Sequence, residues 1–182
     1  MNQTAPLRFV MPEVVSTHFH LEEGSVVADF GAGVGYFIPA LSKAVGPTGR
    51  VIACEIQKAL VEKLGSFVRQ QGLGNVNVVW CDLEAPQGNT LVDNSIDAGV
   101  MINTFFQFEE KAAAVAECQR VLKKGGALHV IDWSESFGGT GPAPEQVVDK
   151  QSMIAWFEGG GFVLEREYPA GSHHYGLTFR VI

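Results

Sequence analysis

Apolar and polar positions along this chain fall into short apolar runs separated by segments of helical spacing. Residues 26–30, 50–55, 75–80, 95–102 and 126–133 are each nearly continuous apolar runs. Such runs predict strands buried on both faces of a parallel sheet. Between them the period changes. Phe37, Ala40, Leu41 and Val45 mark one face of a helix over 36–45, and Leu60, Leu64, Phe67 and Val68 one over 56–71. Ala113, Ala116, Val121 and Leu122 mark a third helix, over 109–122. Gly46-Pro47, Gly72 with Gly74, and Gly125-Gly126 stop these helices in turn. Residues 12–20 are read as a short helix and 145–158 as the last long one. Residues 134–144, with three glycines and two prolines, are read as a surface loop. Two closing strands, 162–167 and 175–182, are joined through Pro169 and Gly171 as an antiparallel pair. The pattern predicts an α/β fold: a doubly wound, mostly parallel, seven-stranded sheet ending in an antiparallel hairpin. Residues 1–24 form an N-terminal segment that could lie over a site as a lid, and 25–182 form the domain.

The chemistry concentrates where the first strand ends. Val26-Val27-Ala28-Asp29-Phe30 runs into Gly31-Ala32-Gly33-Val34-Gly35-Tyr36. Glycines just past a buried strand permit a sharp turn and close approach of a ligand to the main chain. The dinucleotide fingerprint asks for a small residue at Tyr36 or, in the shifted register, at Ile38, and neither position meets it. No Gly-Lys-Ser/Thr follows, so the phosphate loop is excluded as well. In open α/β sheets ligands sit past the carboxyl ends of the strands. That rule selects Asp29, Gly31, Gly33 and Gly35 after the first strand, Glu55 after the second and Asp82 after the third. Asn103 and Thr104 follow the fourth strand, and Asp132 and Trp133 the fifth. Glu55 stands where a carboxylate can accept from both hydroxyls of a ribose; the alternative is a solvated strand-end acid.

Composition narrows the partners. The chain has 182 residues, 46% of them apolar, which suits one globular domain. A net charge of −7 with no basic stripe argues against nucleic acid and anionic membrane surfaces. Cys54, Cys81 and Cys118 are scattered and odd in number, which points to a reducing compartment, the cytoplasm, without a disulfide framework. Residues 1–15 lack the apolar stretch of a signal peptide, and no run reaches the ~20 residues of a membrane span.

The acid-x-Gly-x-Gly-x-Gly stretch resembles the first motif of class I S-adenosylmethionine (SAM)-dependent methyltransferases. Arg120-Val121-Leu122-Lys123-Lys124-Gly125-Gly126 is similar to that family's segment before the fifth strand, with Lys124 in place of a proline. The resemblance extends over roughly 26–182 and implies the family's strand order. It implies SAM as cofactor, held by Asp29, Gly31, Ala32, Gly33, Gly35 and Tyr36. Ile56 would pack on the adenine, while Asp82 and the Leu83 amide would read its edge; the alternative for Asp82 is a turn cap. Asn103 would lie near the transferable methyl, as a cofactor contact or catalytic group, or serve only as a turn residue. Asn103-Thr104-Phe105-Phe106 lacks the two prolines of the amino-methylating relatives, which argues against methylation of bases.

His173 and His174 lie at the closing hairpin, in a His-His-Tyr-Gly ending similar to small relatives of the ubiquinone/menaquinone-biosynthesis C-methyltransferases. Either imidazole could act as general base, or the two could be an exposed hairpin pair. His18 and His20 have the spacing of a metal pair but no evident third ligand, so no metal is expected. His129 is read as packed within its strand, and the three cysteines as small buried apolar residues. The expected function is methyl transfer to a small-molecule acceptor; Tyr36, Phe105, Phe106 and Phe108 near the site suggest an apolar ring, and core packing is the alternative for these aromatics. The alternative is a SAM-binding module or regulatory subunit without its own turnover. The oligomeric state is left open.

Overall fold

The computed structural model describes residues 10–85, 88 and 90–182. Seven strands form one sheet in the order β3-β2-β1-β4-β5-β7-β6. They are β1 Val26–Phe30, β2 Arg50–Glu55, β3 Val76–Trp80, β4 Ile96–Ile102, β5 Leu122–Trp133, β6 Phe162–Pro169 and β7 His174–Val181. Parallel neighbours cannot be joined by tight turns, so helices cross between them. These are α2 Ile38–Val45 between β1 and β2, and α3 Lys58–Gln70 between β2 and β3. Farther along, α4 Lys111–Val121 precedes β5, and α5 Lys150–Gly159 precedes β6. The strands β1 to β5 pair in parallel, and β7 alone runs antiparallel between β5 and β6.

Both faces of the sheet are covered. On one face Ile38, Leu41 and Val45 of α2 and Leu64 and Val68 of α3 bury Val27, Val51, Ala53 and Val100. The same face carries the short helix α1 Pro12–Val15 and the turn after it. On the other face Ala114, Val115 and Cys118 of α4 and Met153 and Phe157 of α5 pack with Leu128, Val130, Leu177 and Phe179. Gly99 of β4 leaves room there for a ring: a Cβ at this position would lie 2.6 Å from Phe30 Cε2 and 2.9 Å from Leu128 Cδ1.

Three expected elements are corrected. The inward face of α4 is Ala114, Val115, Cys118 and Val121, whereas Ala116 is exposed and Ala113 half-buried. A run of alanines carries too little contrast to phase a helix. β5 begins at Leu122, ahead of the glycines read as its turn, with a register shift where Ile96 pairs Leu122 and Ala98 pairs Ala127. A β-bulge takes up the extra residues, and Gly125, at φ 74°, sits within it. The helix read over 145–158 is broken: a 3-10 turn spans Pro144–Gln146, and α5 starts only after Asp149. The Asp149 carboxylate accepts from the amides of Gln151 (2.9 Å) and Ser152 (3.0 Å), a side-chain N-cap.

Candidate active site

Strand order reverses between β1 and β4, because the chain leaves the β3 edge and returns beside β1. The loops after those two strands diverge there and leave a crevice. A cleft of about 800 Å³ opens at this point. Its wall includes Asp29, Gly31, Ala32, Gly33, Tyr36, Glu55, Ile56, Asp82, Leu83, Asn103 and His174. Nearly all the residues selected from strand ends therefore meet around one space.

The glycine turn is docked on β2. The Cys54 carbonyl accepts from the amides of Gly31 (3.0 Å) and Ala32 (2.8 Å), and Glu55 Oε2 accepts from Gly33 N at 3.0 Å. The three glycines meet different demands. A Cβ on Gly31 would come within 2.6 Å of the Thr104 side chain, across the reversal point. A Cβ on Gly35 would come within 2.5 Å of Leu64 Cδ1, so this residue serves packing and does not line the cleft. Gly33, at φ 55°, has nothing within 4 Å of that position: its bare main chain faces open space.

Two carboxylates stand below this turn. Glu55 is 6% exposed, and its Oε1 accepts from Gln57 N at 2.8 Å. With one amide on each oxygen, the carboxylate keeps acceptor capacity toward the cleft. Asp29 is 3% exposed, and its pKa is pushed up to about 7 by burial and then by the neighbouring Glu55 charge. The raised value marks a site where a positive ligand group would be stabilised. Asp82 is a turn cap, its Oδ1 accepting from Glu84 N (2.9 Å) and Ala85 N (3.3 Å), and the residue also lines the cleft. Ile56, 47% exposed, stands at the rim, with its carbonyl pinned by the Trp80 indole N–H at 2.7 Å.

The far end of the cleft is built by β4, β5 and β7. Asn103 has φ 55°, and its Oδ1 is buried without a hydrogen-bond partner. Its amide donates to the Ile131 carbonyl at 2.8 Å, while Gln107 Nε2 donates to its carbonyl at 2.9 Å. Strain of this kind gathers at functional positions. β6 runs parallel to β5, so the turn before β7 falls on the strand-end side, and His174 pairs with Trp133. Their rings lie 4.2 Å apart, and His174 is 6% exposed. Burial, and then His173, holds its pKa down to about 4. His173 is not brought to the cleft. Its ring stacks on Phe137 at 3.8 Å and its Nδ1 lies 2.7 Å from Glu135 Oε1, tying the loop after β5 to the hairpin turn.

Several wall residues carry no sequence motif. Val10 and Thr140 reach the cleft from the N-terminal segment and from the loop after β5. Trp133, at a strand end, and Phe108 line it too, whereas Phe105 is fully buried against Phe157. His18 and His20 lie elsewhere, on the sheet face: His18 stacks on Tyr168 at 4.8 Å, and His20 Nε2 accepts from Arg166 at 2.8 Å. His129 is packed as expected, 3.0 Å from Thr178 Oγ1 and under the Phe19 ring, with its pKa lowered to about 3 by burial. The three cysteines are buried and free. Among the described residues no helix is long and apolar enough to cross a membrane.

Comparison with known proteins agrees with this geometry. Residues 28–130 match the family model described as a methyltransferase domain. The ubiquinone/menaquinone biosynthesis C-methyltransferase UbiE of Hydrogenovibrio crunogenus (strain DSM 25203 / XCL-2) is 33% identical over 116 residues, covering 63% of this chain and 44% of that protein. The match thus spans less than half the length of this curated relative. The crystal structure of a SAM-dependent methyltransferase from Aquifex aeolicus is 32% identical with a TM-score of 0.88, covering 96% of this chain and 91% of that one. The [4+2]-cyclase SpnF, 16% identical with a TM-score of 0.79 over 93% of this chain and 80% of its own, shares the fold alone. A family model spanning more than half the chain, and a near-complete superposition on a relative above 30% identity, establish that the chain belongs to the SAM-dependent methyltransferases, the family that takes S-adenosylmethionine as cofactor.

Proposed function

We propose that the chain holds SAM in the cleft at the β1–β4 reversal and transfers its methyl group to a small molecule bound toward Trp133 and His174. The observation that carries this reading is the pairing of a bare main chain at Gly33 with two buried carboxylates, Asp29 and Glu55, around one open space. The residues present fit the cofactor. Asp29, raised to about 7, answers the positive amino-acid end beside Gly31, Ala32, Gly33 and Tyr36. Glu55 retains acceptor capacity for the ribose hydroxyls, Ile56 supplies an apolar face for the base, and Asp82 with the Leu83 amide reads the edge of that base. When bound, SAM supplies a methyl group already activated on a sulfonium.

The protein's own part is positioning. Holding two reactants in line within ~3–3.5 Å and excluding water accounts for most of what such a site must do. Asn103, fixed in a left-handed conformation between β4 and β5, orients the reacting end, and His174 faces the acceptor. His173 acts at one remove, by anchoring the loop that carries Thr140. Val10 brings the N-terminal segment to the cleft wall, which supports the lid reading of the described part of 1–24. Residues 1–9 lie outside the described residues. Buried free cysteines suit a reducing compartment such as the cytoplasm.

Calorimetry with S-adenosylhomocysteine, SAM and methionine tests the cofactor assignment. Glu55→Ala is expected to weaken both nucleoside ligands at least tenfold and methionine far less, since methionine has no ribose. Equal losses on all three would remove the ribose role. Methyl-labelled SAM, given with a panel of small molecules, then tests turnover. Binding without transfer to any of them would instead support a cofactor-binding module.

A further inference from the structure

Beyond the strand-end residues, the cleft has an uneven supply of charge and of unmatched hydrogen-bonding atoms. Its ionisable wall groups among the described residues include four carboxylates, Asp29, Glu55, Asp82 and Glu84, and no lysine or arginine. An anionic ligand placed there would meet like charge in a partly desolvated space, with no lysine or arginine among the described wall residues to compensate it. Toward β5 and β7 the wall turns apolar, with Val10, Phe37, Phe108 and Trp133. Within that apolar part His174 has both ring nitrogens buried and neither one partnered among the described residues. A neutral imidazole carries one donor and one acceptor, and burying both unmatched costs free energy that a bound partner returns. With its pKa held down to about 4, the ring is uncharged near neutral pH and offers a lone pair. His129 is also buried, but its Nδ1 is engaged by Thr178 and its ring lies under Phe19, outside the cleft wall.

We infer that the methyl acceptor is an uncharged molecule that directs an O–H or N–H hydrogen at the imidazole of His174, and that carboxylated or phosphorylated acceptors are rejected. This rests on the methyl-transfer reading of the cleft. A cationic acceptor is disfavoured as well, because the wall beside His174 is apolar, with Phe108 and Trp133, and would leave an unpaired charge desolvated. His174 is thus a specificity-determining group. Its ring lies 4.2 Å from Trp133 and lines the cleft, so one buried nitrogen must turn toward the ligand's hydrogen on binding.

The test uses the full chain saturated with S-adenosylhomocysteine and four small probes of one shape: phenol, anisole, benzoate and phenyl phosphate. Saturation-transfer NMR reads their binding, and calorimetry reads the affinity for S-adenosylhomocysteine on the same samples. Phenol is expected to bind at least fivefold more tightly than anisole, and the two anions not at all. His174→Phe keeps a ring against Trp133 but removes both nitrogens; it should abolish the preference for phenol while S-adenosylhomocysteine affinity stays within twofold. His174→Gln, which keeps a hydrogen-bonding group, should restore part of the preference and serves if the first variant does not fold. Binding of either anion as tightly as phenol would overturn the inference. So would a phenol preference that survives His174→Phe, or failure of all four probes to bind. Failure of the wild-type chain to bind S-adenosylhomocysteine would overturn the methyl-transfer reading itself, and calorimetry shows that separately.

Discussion

Asp29 illustrates what the cleft demands of single residues. The wild-type side chain is buried beside Glu55, with its pKa raised to about 7 from 3.8. Between these values the folded chain keeps a proton that the unfolded chain releases, so stability falls as pH rises through that window. Its favourable contribution is complete only below the unfolded value and is gone above about pH 7. Three units correspond to an upper limit of ~4 kcal/mol. Asp29→Asn should therefore raise the stability of the ligand-free protein at pH 8, by up to ~4 kcal/mol, and by progressively less toward pH 4. The same variant should bind SAM more weakly. Urea midpoints across pH, set beside calorimetry, check both; a variant no more stable than wild type at pH 8 would contradict the strain assigned to Asp29. The placement of the strand-end acids at the cleft was legible because each closes an apolar run, and strand ends of an open α/β sheet face the crevice. The difference between His173 and His174 was not, since neighbours in sequence look alike until a strand sends one inward and the other toward Glu135.

At the scale of elements, the strands and the helices crossing between them were readable because run length and period carry them directly. β1 and β2 have the limits expected from their apolar runs. Misread elements share a different cause. The start of β5 depends on a bulge opposite Asp97, whose carboxylate accepts from Val26 N at 2.8 Å and pairs with Lys123 Nζ at 2.5 Å. No local pattern reports such a partner 71 and 26 residues away. The start of α5 turns on one cap, and an aspartate four residues after Glu145 reads equally well as helix surface. Gly99 allows a sharper test of the packing between β1, β4 and β5. Gly99→Ala is expected to cost ~1–3 kcal/mol by overpacking against Phe30 and Leu128. Chemical denaturation should show a lower midpoint with an unchanged slope.

For the molecule as a whole, cofactor grip and fold stability are linked, because the cleft draws its walls from β1, β2, β4, β5 and β7 together. S-adenosylhomocysteine at a hundred times its dissociation constant should stabilise the chain by ~2.7 kcal/mol. For a domain of this size that is roughly 5–10 °C in melting temperature. Gly33→Val, whose side chain would enter the open space before the turn, should melt without that shift, and scanning calorimetry with and without ligand compares the two. The segment from Val10 to His20 adds a different consequence. It is fastened to the edge strand β6 by Arg166, which donates to the His18 carbonyl and to His20, and to β5 by Phe19 over His129, and it lends Val10 to the cleft. The proposed cofactor-binding residues stand at the ends of sheet strands, whereas this strip packs on the sheet face through Val15 and Phe19 and reaches the cleft through Val10. Substitutions at Val10 should therefore reshape one side of the cleft while the glycine turn, Glu55 and His174 keep their places.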